Sequence, residues 1–355
     1  MCCGMNTRCV FILLLTFFAA VPLRAEEPPP RLEEAPAENI APPPPPSSLG
    51  PPAGMGMSMG MGMGPGGGPP GYSATWYPSR PVSGSNDDFG LVRQQANVGA
   101  PIWVEDGRRL MFNASVRNTS FFTDVLLPDS GRPFPNELWN ISLGVNYIHK
   151  FENGWTGSLG LSFGSASDKP FHSIDEVQLS ALGFIRVPLK NDRDAWMFSV
   201  FYSPAGNFNF PIPGIAYSWN PSPEFSMNIG LPFFLTWKPN EDWTLNLSYI
   251  PVTNVNARVT YRIIERLFTY GGFEWLYEAY FLADREVRDD RFIAFEKRLI
   301  AGLRWDFASK ASLDINGGYA FDREYGVGQN QIGNLSDQVT VSNGVFLGAQ
   351  FRVRF

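Results

Sequence analysis

"NGVFLGAQFRVRF", residues 343–355, carries a strict two-residue alternation to its final side chain. Val345, Leu347, Ala349, Phe351, Val353 and Phe355 are apolar, Gly344, Gln350, Arg352 and Arg354 share the opposite parity, and Phe346 is the one exception. Period two defines a strand with one apolar and one polar face. Chain ends usually fray, so a pattern this regular asks what the apolar face lies against. Two partners are available: a second sheet in a soluble sandwich, or the hydrocarbon around a membrane barrel.

The same pattern recurs upstream. In "LWNISLGVNYIHKF", Trp139, Ile141, Leu143, Val145, Tyr147 and Phe151 oppose Asn140, Ser142, Gly144, Asn146 and Lys150. "WTGSLGLSFG" repeats it, and the intervening "ENG" has the chemistry of a tight hairpin turn. Further alternation runs through "RRLMFNASVRN", "EVQLSALGFIRV", "AWMFSVFYS", "EFSMNIGLP", "WTLNLSYI", "VNARVTYRI", "GFEWLYEAYFL", "EKRLIAGLRWDF" and "ASLDINGGYAFD". None has a convincing helical period. Most are longer than sandwich strands and approach what a tilted strand needs to cross a bilayer. Their polar faces favour Gly, Ser, Thr and Asn over Lys. Aromatic residues gather at segment ends, among them Trp139, Trp155, Trp196, Trp237, Trp243 and Trp305, as in the girdles at membrane interfaces. Aromatics make up 14% of the chain and charged residues only 17%, too few for a fully water-exposed surface. The expectation is an all-β antiparallel transmembrane barrel over residues 85–355.

The N-terminus supplies an address. Arg8 precedes "CVFILLLTFFAAVPL", which predicts a secretory signal peptide over 1–25, cleaved near Ala25; an uncleaved anchor is the alternative, for which the run is short. Met1 and Met5 both suit the start. Cys2, Cys3 and Cys9 all precede the cut, so the mature chain has neither disulfides nor a thiolate site. Residues 26–84, with "APPPPPSSLGPPAGMGMSMGMGMGPGGG", form a low-complexity Pro/Gly/Met arm expected to be disordered, with cell-wall contact as its candidate role. Alternating Met55, Met57, Met59, Met61 and Met63 raise Cu(I) binding as a minor alternative to a plain linker. A formal charge of -6 argues against nucleic acid as a partner.

The final strand resembles the C-terminal assembly signal of bacterial outer-membrane β-barrel proteins, with Phe355, Val353, Phe351, Ala349 and Leu347 matching it position by position. The stretch "PIPGIAYSWNPSPEFSMNIGLPFFLTWKPNEDWTLNLSYIP" looks like that of an uncharacterised family of outer-membrane barrels known only as a domain of unknown function. The resemblance spans residues 88–355. It implies the outer membrane and its lipid, periplasmic chaperones and the barrel-assembly machinery, and it brings no catalytic residues.

Counting is harder than classifying. About fourteen segments can be read, yet the long connections at 122–136, 167–174, 205–210, 284–290 and 323–341 do not then fall on one rim. Prolines across 211–264 disturb the middle of the pattern. About twelve strands are expected, with ten to fourteen allowed, because bacterial barrels have even numbers.

Parity turns Arg258, Arg262, Glu274, Glu278, Glu296, Arg298, Arg304, Asp306, Asp314, Arg352 and Arg354 inward. Charges at membrane depth must face water or one another. They either fill the barrel as a paired lattice or line a passage for small polar solutes. An envelope protein, passive pore or structural, is therefore the expected function. The alternatives are a lipid-modifying enzyme of the outer membrane and a secreted soluble sandwich that binds a partner. Catalysis is disfavoured: His149 and His172 are the only histidines, Ser173 and Asp175 merely neighbour His172, and no "GxSxG" elbow is present. "ADREVRDDR" and "SNDDFG" lack the spacing of a calcium loop, so neither metal nor cofactor is expected.

Overall fold

The computed structural model describes residues 70–189, 193–203, 210–250, 254–329 and 335–353, all within the unit 49–355. The expected signal peptide, residues 26–69 of the expected arm, and Arg354 and Phe355 lie outside the described residues. In chain order the strands are β1 (Gly71–Pro81), β2 (Asp88–Glu105), β3 (Arg108–Phe122), β4 (Glu137–Lys150), β5 (Thr156–Ser167), β6 (Val177–Pro188), β7 (Ala195–Tyr202), β8 (Ile212–Ser222) and β9 (Phe225–Gly230). They continue as β10 (Phe233–Trp237), β11 (Trp243–Ile250), β12 (Asn254–Ile264), β13 (Leu267–Tyr280), β14 (Arg291–Ala308), β15 (Ala311–Gly328), β16 (Ser336–Val341) and β17 (Gly344–Val353).

Each strand from β1 to β15 pairs antiparallel with its successor, and β17 pairs with both β15 and β1, so the sheet closes on itself. Sixteen strands make the ring, and β16 is a short extra strand on the far end of β15, along Arg323–Val327. The fold is thus an all-β, antiparallel, closed barrel. The expected count of about twelve is corrected to sixteen, and the correction has two sources. Residues 71–81, expected to belong to the arm, form β1 and pair with β17 and β2, which moves the start of the barrel before residue 85. The proline-rich stretch holds β8, β9 and β10 on very short connections, with Pro213 and Pro221 near the ends of β8 and Pro223, Pro232 and Pro239 between strands, where a missing N–H is tolerated.

With sixteen strands the rim conflict disappears. The connections 82–87, 123–136, 168–176, 281–290 and 329–335 all leave the same rim, called here rim A. The opposite rim B carries tight turns such as Asp106–Gly107 and "ENG", where Gly107 and Gly154 take φ of 73° and 82° as a two-residue or bulged hairpin requires. Gly71 and Val353 also end at rim B.

The outer surface of the ring is apolar. Leu143, Leu161, Phe198, Val259, Leu299, Ile315 and Leu347 are exposed there, each on the parity opposite to buried or half-buried polar residues of its own strand. At rim B the outward aromatics pair along the wall, Trp196 with Tyr217 and Trp219 with Phe225 edge to face, Trp243 with Tyr261 and Trp305 with Phe307 tilted. His149 belongs to this belt, its ring 4.3 Å from that of Phe151. The wall is uneven in height. β2, β14 and β15 each run 18 residues, whereas β9 and β10 have 6 and 5. The tall side is where the lumen is filled.

Candidate functional site

Along the tall side the inward residues form three layers from rim A to rim B. On β2 they read Phe89, Leu91, then Arg93, then Gln95 and Asn97; on β14, Phe292, then Glu296 and Arg298, then Arg304 and Asp306. An aromatic lid, an ionic lattice and a polar vestibule follow one another down the barrel.

The lid centres on Phe134, which belongs to the β3–β4 connection and not to the wall. Its ring makes edge contacts with Phe89, Phe121, Phe292 and Tyr325 at centroid distances of 5.1, 5.1, 5.2 and 5.5 Å. Such pairs contribute about 0.5–1.5 kcal/mol each beyond their area burial. The connection is folded on itself, with Phe134 N donating to Val125 O and Leu127 N to Arg132 O. It is clasped to β16: Asp129 N and Ser130 N donate to Asp337 Oδ1 at 2.9 and 2.7 Å, and Asp337 N donates back to Asp129 Oδ2 at 2.7 Å. A second closure crosses the mouth. Phe281, just beyond β13, donates its N–H to Ala166 O of β5 at 2.8 Å, and Ala283 N donates to Asp168 Oδ1 at 2.8 Å. β5 and β13 lie on opposite sides of the ring, so these two bonds, one to backbone and one to a carboxylate, span it.

Beneath the lid the charges form one continuous chain. Arg258 Nη2 and Asn256 Nδ2 donate to Glu274 Oε1 at 3.1 and 3.2 Å, and Arg298 Nε donates to Glu274 Oε2 at 2.6 Å. Arg298 Nη1 donates to Tyr77 Oη at 3.1 Å, and Tyr77 in turn donates to Glu296 Oε1 at 2.8 Å. Arg93 links Glu296 at 3.2 Å to Glu278 at 3.5 Å, and Glu278 also receives Arg117 Nη1 and, at 2.8 Å, Tyr280 Oη. Arg93 on β2 and Arg117 on β3 meet Glu278 on β13, although β1, β17, β15 and β14 separate them along the wall. These ion pairs therefore cross the lumen. Arg323, whose side chain is 1% exposed, lies 4.0 Å from Glu296 Oε2 and stacks over Tyr77. Burying so many charges is tolerable only because each carboxylate takes several donors.

Of the residues assigned inward from sequence, Arg258, Glu274, Glu278, Glu296 and Arg298 join this lattice. Asp314 lies just below it, accepting from Tyr270 Oη at 2.7 Å and Asn316 Nδ2 at 3.1 Å. Arg304 and Asp306 pair at 3.3 Å nearer rim B, and Arg352 bonds Gln350 there. Arg262 sits apart: it is held at rim B by Asp242 and Glu241 of the β10–β11 turn at 3.0 and 3.1 Å. Arg354 lies outside the described residues. Sequence reasoning missed Tyr77, Arg93, Arg117 and Arg323, which sit on strands that were not recognised or at positions where the parity was not followed. In the loop 168–176, Ser173 Oγ accepts from Asp175 N, and the Asp175 carboxylate pairs with Arg288 at 2.6 Å.

Among known proteins, the family described as Domain of unknown function (DUF6268) matches residues 128–354. None of the curated proteins matches the chain. Among solved structures, the β domain of the Bordetella autotransporter BrkA is similar at 12% identity and a TM-score of 0.31, over 81% of this chain and 99% of that one. An outer membrane channel from Pseudomonas putida F1 is similar at 10% identity and a TM-score of 0.32, over 80% and 95%. OmpT, an outer membrane protein of Vibrio cholerae, is similar at 10% identity and a TM-score of 0.30, over 79% and 97%.

Proposed function

We propose that this chain, which belongs to the DUF6268 family, is an outer-membrane barrel with a sealed lumen, serving envelope structure and not free diffusion. The outward apolar face and the rim-B aromatic belt support a bilayer as its surroundings. Both described ends of the chain reach rim B, the rim of tight turns, which favours rim B as periplasmic and rim A as extracellular. Secretion by the 1–25 signal, a periplasmic arm, and insertion through the C-terminal assembly signal ending at Phe355 complete the reading.

The observation that carries the sealed lumen is the pair of closures across it: Phe281 N–H on Ala166 O at the mouth, and Arg93 and Arg117 on Glu278 below. A water-filled pore has no reason to order backbone and buried charge across its own axis. Planar-bilayer recording of the purified protein tests this. The wild type is expected to show no steady channel steps. Replacing residues 124–135 and 281–290 by short Gly-Ser turns in a Glu278→Ala protein, which removes the lid and both closures, is expected to produce them. Regular open-channel steps in the wild type would establish the passive pore instead.

A further inference from the structure

The vestibule contains two arginines that the lattice does not use, Arg304 and Arg352, and borders a third that it shares, Arg258. Its wall brings together Arg258 on β12, Arg304 on β14 and Arg352 on β17, around Tyr270 and Asp314. Register explains the convergence: Arg304 stands opposite Asp314 on β15, Asp314 opposite Gln350 on β17, and Ser312 opposite Arg352. The guanidinium of Arg258 stacks 4.4 Å over the Tyr270 ring, and that of Arg304 lies 4.2 Å over Phe268.

Compensation is incomplete. Arg258 shares Glu274 with Arg298, and Asp314 already accepts from Tyr270 and Asn316. Arg304 Nε faces Asp306 Oδ1 at 3.3 Å, yet neither atom makes a hydrogen bond. Arg352 bonds the amide oxygen of Gln350 and has no carboxylate partner among the described residues. Its side chain and that of Arg304 are only half-buried, so water reaches them. A chain of formal charge -6 has thus placed Arg304 and Arg352, with Arg258 behind them sharing Glu274 with Arg298, against Asp306 and Asp314 on the rim-B side. Planar guanidinium forks recognise oxyanions by paired N–H donation.

We propose that Arg304 and Arg352, with Arg258 behind them, form a binding site for a small oxyanion, phosphate or carboxylate, entered from rim B. The site needs no open pore; only its periplasmic orientation rests on the reading above. Tyr270 and Phe268 lie under two of the three guanidiniums, at 4.4 and 4.2 Å, and limit where those two side chains can swing.

Titration calorimetry of the full barrel in detergent tests it, with inorganic phosphate and succinate as separate probes and sodium chloride at matched ionic strength as the reference. Saturable binding of at least one probe above chloride is expected, weakened about tenfold or more by Arg304→Gln and by Arg352→Gln, and unchanged by Arg262→Gln, whose charge is neutralised by its own turn. Phosphate alone, succinate alone, or both would define the oxyanion. No saturable heat above chloride overturns the site, and so does an equal loss in Arg262→Gln. Should the two variants fail to fold, arginine-specific labelling of the wild type with phenylglyoxal decides: the bound probe must protect Arg304 and Arg352, and labelling that ignores the probe refutes the assignment.

Discussion

Glu278→Gln keeps the shape of the side chain and removes the charge that Arg93 and Arg117 reach across the lumen. Glu278 is buried and receives Arg117, Arg93 and Tyr280. Arg93 retains Glu296 at 3.2 Å, so the residue stranded by the substitution is Arg117, whose one ion pair among the described residues is with Glu278. Breaking a buried pair by removing one partner costs about 3–5 kcal/mol, most of it from the uncompensated charge left behind. For a barrel of this size a loss of that order lowers the unfolding temperature by roughly 6–20 °C. Mobility on unheated gels across a temperature series, with urea unfolding in lipid vesicles as a second readout, measures it. The reverse change is as informative. Removing both charges together, Arg117→Met with Glu278→Leu, leaves no stranded ion and is expected to recover most of the loss. A Glu278→Gln protein within about 0.5 kcal/mol of wild type would mean that water already solvates Arg117. In that case the lattice does not seal the lumen.

Phe134→Ala empties the centre of the lid, with an expected cost of about 3–5 kcal/mol, and it should speed proteolysis within 123–136 on intact vesicles. Leu299→Arg puts a charge on the outer face in mid-strand and is expected to cost about 2–4 kcal/mol, whereas Ser115→Arg, inward and half-buried beside the vestibule, stays within about 1 kcal/mol; equal costs in vesicle unfolding would remove lipid as the outer partner. Lipids brominated high on the acyl chain should quench Trp196, Trp237 and Trp243 of the rim-B belt, and unchanged tryptophan emission would favour a soluble assembly.

The fold was legible wherever a strand has one wet face and one apolar face. β4 and β5 alternate cleanly because their inner residues, such as Ser142, Asn146, Ser158 and Ser162, are small and polar, and their outer ones are Leu, Val and Phe. β9 and β10 were hard to separate because at 6 and 5 residues they offer too few periods, and Pro232 sits between them. β1 was absorbed into the low-complexity arm because "GYSATWYPSRP" ends in turn-like residues and its strand identity comes from β17 and β2 on either side. No local signal reports a pairing 277 residues away in sequence, such as Ser73 with Gln350.

The candidate site was half visible for the same physical reason. Parity turned Glu274, Glu278, Glu296 and Arg298 inward, since charges on such strands have nowhere else to go, and the four are joined through Tyr77 and Arg93. It did not reveal that Arg93 and Arg117 reach Glu278 across the axis, because that depends on ring closure. The apparent exception Phe346 explains what was lost. It faces inward, 1% exposed, with its ring stacked 5.3 Å from Tyr77 and Arg298 above it at 5.2 Å. Where the lumen is packed, the inward parity turns apolar too and the alternation vanishes, as at Phe89 and Leu91 of β2 and at Phe292 of β14. Clean alternation therefore marks wall that borders water, and broken alternation on the same strand marks wall that borders packed protein. On that argument the parity defects of the chain map its lid, and another member of the family with polar residues at the positions of Phe89, Phe121, Phe292 and Phe346 should have an open barrel.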